Sequence, residues 1–243
     1  MNINKPNILG VVLARGGSQG LAGKHLRSLC GRPVIDYTLD HAAAARQLTH
    51  VIVSSDCNAI LALARRRRFD AIERPDALAT ADASVQDVML HAMHAVERTG
   101  VRFDAAVILY GNVAVRGPGV IDRAIDLWRA TGCDSVRTFC PVGKWHPAWM
   151  SRLDGDRVQA VRPGSIHRRQ DLEPLHLHDG ACVVVSRESL LRGEAHPSDP
   201  HAMFGDDRRG IHTEPHETVE IDTLRDLYWA EASLRADVAA AAA

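Results

Sequence analysis

The sequence predicts an α/β fold built on a mostly parallel, doubly wound sheet. Strand and helix signals take turns over the first 140 residues, and the first apolar run, Ile8 to Ala14, opens directly into a glycine-rich loop. Strands and helices taking turns imply a mostly parallel sheet covered on both faces.

The elements follow in order. A strand is expected over Ile8 to Ala14, a helix from Pro33, a strand over His50 to Ser54 and a helix from Asn58. A short strand over Asp70 to Glu73 precedes a helix from Ala83, a strand over Ala105 to Tyr110, a helix from Pro118 and a strand over Asp134 to Phe139. After Pro141 the rhythm breaks. Residues 144–178 carry turns, charges and few apolar runs, and read as an inserted arm within a single domain spanning 1–243. Strands return at Ala181 to Ser186 and Thr218 to Ile221, a helix over Leu224 to Arg235 closes the fold, and the terminal ADVAAAAA is expected to fray. HAMFGDDRRG, from His201, reads as a mobile loop or plain surface.

Composition narrows the function. With 46% apolar residues in 243, the chain can bury a sizeable core. A net charge of −1 leaves no general basic field for nucleic acid, and the run Arg65 to Arg68 reads as a solvated helix end. No apolar run approaches the ~18 residues of a membrane span. Five cysteines without a CxxC pair point to reduced thiols and a cytoplasmic setting, and thirteen histidines without an HExxH pair give no zinc signature.

The chemistry is concentrated in ILGVVLARGGSQGLAGKHL, Ile8 to Leu26, where glycines expose backbone N–H groups and the cations Arg15 and Lys24 flank them. Such a loop suits an anionic phosphate chain. It is neither GxGxxG nor GxxxxGK[ST], so the dinucleotide and P-loop fingerprints do not apply. Near the other end, Glu220 and Asp222 in ETVEID alternate along a strand and project to one face, where they can share a divalent cation. Asp226, in the first turn of a helix, reads as a dipole partner.

Together these segments resemble the CMP-sugar-acid synthetases, which activate sialic, pseudaminic, legionaminic and related acids with CTP. LARGGSQGLAGKHL is similar to the family's signature loop, and VSSD (Val53 to Asp56) follows the second strand. Arg74 to Met93 resembles its nucleotide-contacting segment. RRQDL (Arg168 to Leu172) and HDGA (His178 to Ala181) resemble acceptor-side elements, and VEIDTLRDLYWAE (Val219 to Glu231) its metal-binding strand and final helix. The resemblance implies a nucleotide-diphospho-sugar transferase type of fold, Mg²⁺ dependence, release of pyrophosphate, and a homodimer made partly by the arm.

It also distributes roles. Arg15 and Lys24 hold the triphosphate with the backbone of Leu13, Ala14, Gly16 and Gly17; His25 stands where a neutral hydrogen-bonding group is usual, and Gln19 replaces a common lysine. Arg74 lies against the cytosine edge or is a surface arginine before a turn, and Ala79 lets the ring approach. Ser84 binds nucleotide or simply caps a helix. The metal falls to Asp222 and Glu220, the latter in place of a usual aspartate. On the acceptor side LYGNVAVR replaces a QPTSPLR-like run, putting Tyr110 at a glutamine position and Asn112 beside it. This weakens the case for N-acetylneuraminic acid and is closer to the pseudaminic branch, with Arg169, Gln170, Asp171, His178 and Asp179. Arg116 and Arg169 pair with an acceptor carboxylate or serve as structural ion-pair partners. KWHPAWM, an aromatic patch, lines the sugar site or a dimer contact. Other readings of the same residues are a cytidylyltransferase for another acid, such as a small phosphonate, and a nucleotide-binding protein without turnover.

Overall fold

The computed structural model describes residues 5–17 and 20–241; Ser18 and the Gln19 replacement lie outside them. The main elements are β1 (Ile8–Leu13), α1 (Val34–Ala44), β2 (His50–Ser55), α2 (Asn58–Arg66), β3 (Asp70–Glu73), α3 (Val85–Glu97), β4 (Ala105–Tyr110), β5 (Val113–Val115), α4 (Val120–Thr131) and β6 (Ser135–Pro141). The chain continues through β7 (Ser151–Asp154), β8 (Arg157–Ala160), β9 (His176–Ser186), α5 (Arg187–Ala195), β10 (Arg208–His212), β11 (Val219–Glu220) and α6 (Leu224–Ala241).

Seven strands form the central sheet in the order β10-β6-β9-β4-β1-β2-β3, in which β9 runs antiparallel to both of its neighbours and the other pairings are parallel. All six residues of β1 are buried because it lies inside the sheet with both faces covered. Ile8 and Val12 meet α1, α2 and α4 on one face, while Leu9, Val11 and Leu13 meet α3 and α5 on the other. This is the doubly wound arrangement that the element order predicts. The chain winds from β1 outward to β2 and β3, then returns to lay β4 on the other side of β1. The strand order therefore reverses between β1 and β4, and ligand crevices open at the carboxyl ends of strands at such a point.

Several expectations shift. Ser84 caps α3, whose first residue is Val85, and α4 begins at Val120, after Gly119. β9 starts at His176, so the central sheet resumes before the expected end of the arm, and the arm's own regular structure is the exposed ribbon β7–β8. The segment read as loop or surface from His201 instead supplies β10, an edge strand paired with β6. The closing helix runs on to Ala241. Arg67 leaves the solvated arginine run to bind Asp36 at 2.8 Å and Asp40 at 2.5 Å. The miniature sheet β5–β11 was not expected, and it carries the C-terminal acids back to the end of β4. No described helix is long and apolar enough to cross a membrane.

Candidate active site

The crevice is built from the ends of β1, β2 and β4. Leu13 sits opposite Tyr110 in the sheet, the Gly111 amide donates to the Leu13 carbonyl at 2.9 Å, and the Ala14 amide donates to Ser54 at 3.1 Å. The loop then turns over β2, where the Gly16 amide donates to the Asp56 carboxylate at 2.8 Å. That amide is thus already engaged, and Asp56 is a loop-shaping residue to which the sequence assigned no role. A Cβ at Gly17 would meet nothing within 4 Å, so its backbone is open to an approaching group. A Cβ at Gly20 would lie 2.5 Å from the backbone oxygen of Asp222. Only glycine lets the loop and the C-terminal segment approach this closely.

Past the left-handed Gly23 (φ 62°), a single 3-10 turn, Lys24–Leu26, carries Lys24 and His25. The Lys24 ammonium donates to Asp222 Oδ1 at 2.6 Å; its side chain is 17% exposed against 60% for Asp222. Asn112, at the β4–β5 turn, donates from Nδ2 to Glu220 Oε1 at 3.1 Å, to the Ile221 carbonyl at 3.1 Å and to Asp222 Oδ1 at 3.3 Å. Glu220 and Asp222 therefore converge on one amide, although the strand expected to carry both ends at Glu220 and leaves Asp222 in the bend beyond it. Burial, and then the charge of Asp222, hold Glu220 above the usual carboxylate range, against the opposing pull of Asn112, Lys24 and His178. His25 is buried, and burial together with Lys24 pushes it down to about 4, so it is neutral at physiological pH.

Arg15 donates to the Thr80 carbonyl at 2.9 Å, drawing the loop toward the segment before α3. Arg74 is buried and donates to the Ser54 carbonyl at 3.0 Å, and burial lowers its pKa despite the nearby Asp56. A cavity of about 230 Å³ collects Leu13, Arg15, Lys24, His25, Arg74, Tyr110, Asn112 and Glu220 against an apolar wall that includes Ala81, Ala83 and Val85. Three cations and a wall of small side chains suit a phosphate chain with a flat ring. Thr80, Ala81 and Ala83 line the cavity, whereas Ala79 does not. Ser84 exchanges hydrogen bonds with Asp87, accepting at 3.0 Å and donating at 2.7 Å, which leaves capping as its role.

On the acceptor side the picture divides. Tyr110 lines the cavity, its hydroxyl pushed up to about 12 by burial and by Glu220. His178 donates from Nδ1 to the Thr138 carbonyl at 2.9 Å, and the next turn places Gly180 (φ 76°) where a Cβ would sit 3.2 Å from Glu220 Oε2. Arg116 is withdrawn from the acceptor set. It is buried and donates to the carbonyls of Val113 (2.6 Å), Ala181 (2.7 Å) and Tyr110 (2.8 Å) and to the Thr38 hydroxyl (3.0 Å), stapling α1, β4, β5 and β9 together. Asp179 is half-buried and likewise engaged by its own chain. Burial would raise its pKa, but donation from Thr138, Thr213 (2.6 Å), the Ala181 amide (3.1 Å) and Thr218 (3.0 Å) holds it below the carboxylate range. Arg169, Gln170 and Asp171 form one exposed turn on the arm, where Asp171 pairs with Arg168 at 3.0 Å, and none of the three lines the cavity.

A reversed-order parallel sheet whose cationic loop meets an acidic C-terminal segment defines an α/β protein of the nucleotide-diphospho-sugar transferase type. The chain belongs to the cytidylyltransferase family, whose sequence model matches residues 9–143. It is 26% identical over 230 residues to CMP-N,N'-diacetyllegionaminic acid synthase of Legionella pneumophila, covering 92% of this chain and 93% of that protein. It is 27% identical over 186 residues to N-acylneuraminate cytidylyltransferase of Streptococcus agalactiae, covering 75% of this chain but only 44% of that longer protein. The structure of CMP:2-keto-3-deoxy-manno-octonic acid synthetase with CTP aligns over 95% of this chain and 99% of that one, with a TM-score of 0.73 at 18% identity.

Proposed function

We propose that this chain transfers CMP from CTP to a sugar acid of the nonulosonic class (sialic, pseudaminic or legionaminic type), with Mg²⁺ as cofactor and pyrophosphate as the leaving group. The observation that carries the reading is the meeting of Lys24 with Asp222 beneath the glycine loop, since it sets a phosphate-binding cation beside a cation-binding acid at the strand-order reversal. Family membership and the full-length likeness to a legionaminic acid synthase support the substrate class.

In the reaction the acceptor hydroxyl oxygen attacks the α-phosphorus and gives up its proton to solvent, the bond from that phosphorus to the α,β-bridging oxygen breaks, and its electron pair leaves with pyrophosphate. Lys24 and Arg15 neutralise the charge that grows on the departing group, and the loop backbone fixes the chain for in-line attack. Arg74 and the small residues before α3 hold the cytosine end, with neutral His25 beneath. Tyr110 shapes the acceptor side.

The acids fit a hard divalent ion. Two carboxylates face one amide, and the repulsion and burial that raise Glu220 are relieved by a cation. Glu220 and Asp222 are the pair of acids that would hold Mg²⁺ beside the nucleotide phosphates. Bound there, Mg²⁺ supplies charge neutralisation on the phosphates.

The arm exposes Trp145, Leu153, Val158 and Ile166, a concentration of apolar surface that suits the face of a homodimer. Free cysteines suit a reducing, cytoplasmic setting. The test is pyrophosphate release from CTP and Mg²⁺ with a panel of nonulosonic acids, 2-keto-3-deoxy-octonic acid and small phosphonates. Release with a nonulosonic acid, and not with UTP in place of CTP, is expected. CTP binding without release on any acceptor would overturn the proposal.

A further inference from the structure

The Asn112 side chain occupies an unusual position. It is buried at the β4–β5 turn, and one nitrogen, Nδ2, lies within hydrogen-bond distance of Glu220 Oε1, the Ile221 carbonyl and Asp222 Oδ1. Two N–H bonds thus serve three acceptors, two of them on carboxylates that repel each other. Glu220 and Asp222 lie at the edge of a two-strand ladder with a register irregularity between Val219 and Glu220, so strand pairing alone does not hold them in place. The far oxygen of Glu220 rests against Gly180, whose left-handed backbone leaves room for the longer glutamate arm. Lys24 approaches Asp222 from the loop side.

Resting on the cation site proposed above, we infer that Asn112 is the positioning residue of that site rather than an acceptor contact. Its amide gathers the carboxylates of Glu220 and Asp222 around one donor, holding both oxygens at the mouth of the cavity before any cation arrives. The residue acts through the two acids, to which its Nδ2 donates from the cavity wall. An amide suits this task because its NH₂ group donates in two directions; a hydroxyl donates once and a carboxylate not at all. The backbone is independent of this role, since the Ile221 amide donates to the Asn112 backbone carbonyl at 2.9 Å whatever the side chain.

Titration of full-length protein with Mn²⁺ in the presence of CTP, followed by electron paramagnetic resonance of the free ion, tests the inference. Removing a partner that orients metal ligands commonly weakens metal binding by about 10–100-fold. Asn112→Ala should therefore raise the Mn²⁺ dissociation constant tenfold or more, and Asn112→Ser, which keeps one donor, should fall between it and wild type. In turnover, the Mg²⁺ concentration for half-maximal rate should rise in the order wild type, Asn112→Ser, Asn112→Ala. Equal Mn²⁺ affinity in wild type and both variants would overturn the inference and leave the cation site standing. Absence of CTP-dependent Mn²⁺ binding in the wild type would overturn the cation site and the inference with it. Should the alanine variant fail to fold, the serine variant decides by the same titration.

Discussion

Lys24 Nζ lies 2.6 Å from Asp222 Oδ1, although 198 positions separate the two residues in the chain. The glycine loop and the C-terminal acids are therefore one site, and in the free protein each charge satisfies the other. In the proposed reaction, binding of a triphosphate with its cation would require both to change partners, Lys24 to phosphate oxygens and Asp222 to the metal. The pair holds the site in register until that exchange.

Lys24→Ala should lower kcat/KM for CTP by about a hundredfold or more, the usual cost of losing a donor to transition-state charge. Steady-state pyrophosphate release measures it. Unchanged turnover would assign the triphosphate to other groups.

Asp222→Asn should abolish Mg²⁺-supported turnover and leave the fold intact. Asp222 is 60% exposed, so losing its ion pair should change unfolding stability by no more than about 1 kcal/mol. Circular dichroism melts and the release assay separate the two effects, and full activity in this variant would place the metal elsewhere.

Arg116→Lys should lower unfolding stability by about 2–4 kcal/mol, because a lysine cannot reach the carbonyls of Val113, Ala181 and Tyr110 together and leaves buried acceptors unpaired. Urea denaturation reads this directly. A variant as stable as wild type but with a raised acceptor KM would restore Arg116 to acceptor binding.

Stability should fall as pH drops from 6.5 toward 5. Burial pushes His25 down to about 4 and His41 to about 3, while in the unfolded chain both titrate near 6.5. Between those values the unfolded state binds more protons, which disfavours folding by roughly 1.4 kcal/mol per pH unit for each histidine. Melting temperature against pH should show this slope, and His25→Asn should reduce it. An identical slope in wild type and variant would remove His25 as a contributor.

Much of this protein was legible in its sequence because the relevant signals are local. The apolar run of β1, the glycines and cations after it, and the alternation of elements each report on neighbouring residues, and they define the sheet class and the loop. The spacing of Glu220 and Asp222 pointed to a shared site, but the strand ends at Glu220 and it is the Asn112 amide that both carboxylates meet. What only the tertiary structure decided depends on long-range contacts. Arg116 and Asp179 have the residue types of an anion binder and an acceptor contact, yet hydrogen bonds commit both to internal partners drawn from several strands. Asn112 meets the acids because the β5–β11 pairing, between short segments of no strong pattern, brings residues 112 and 220–222 together. A side chain's partners follow from which strands become neighbours, and that choice is made by burying the whole core rather than by any short stretch of chain.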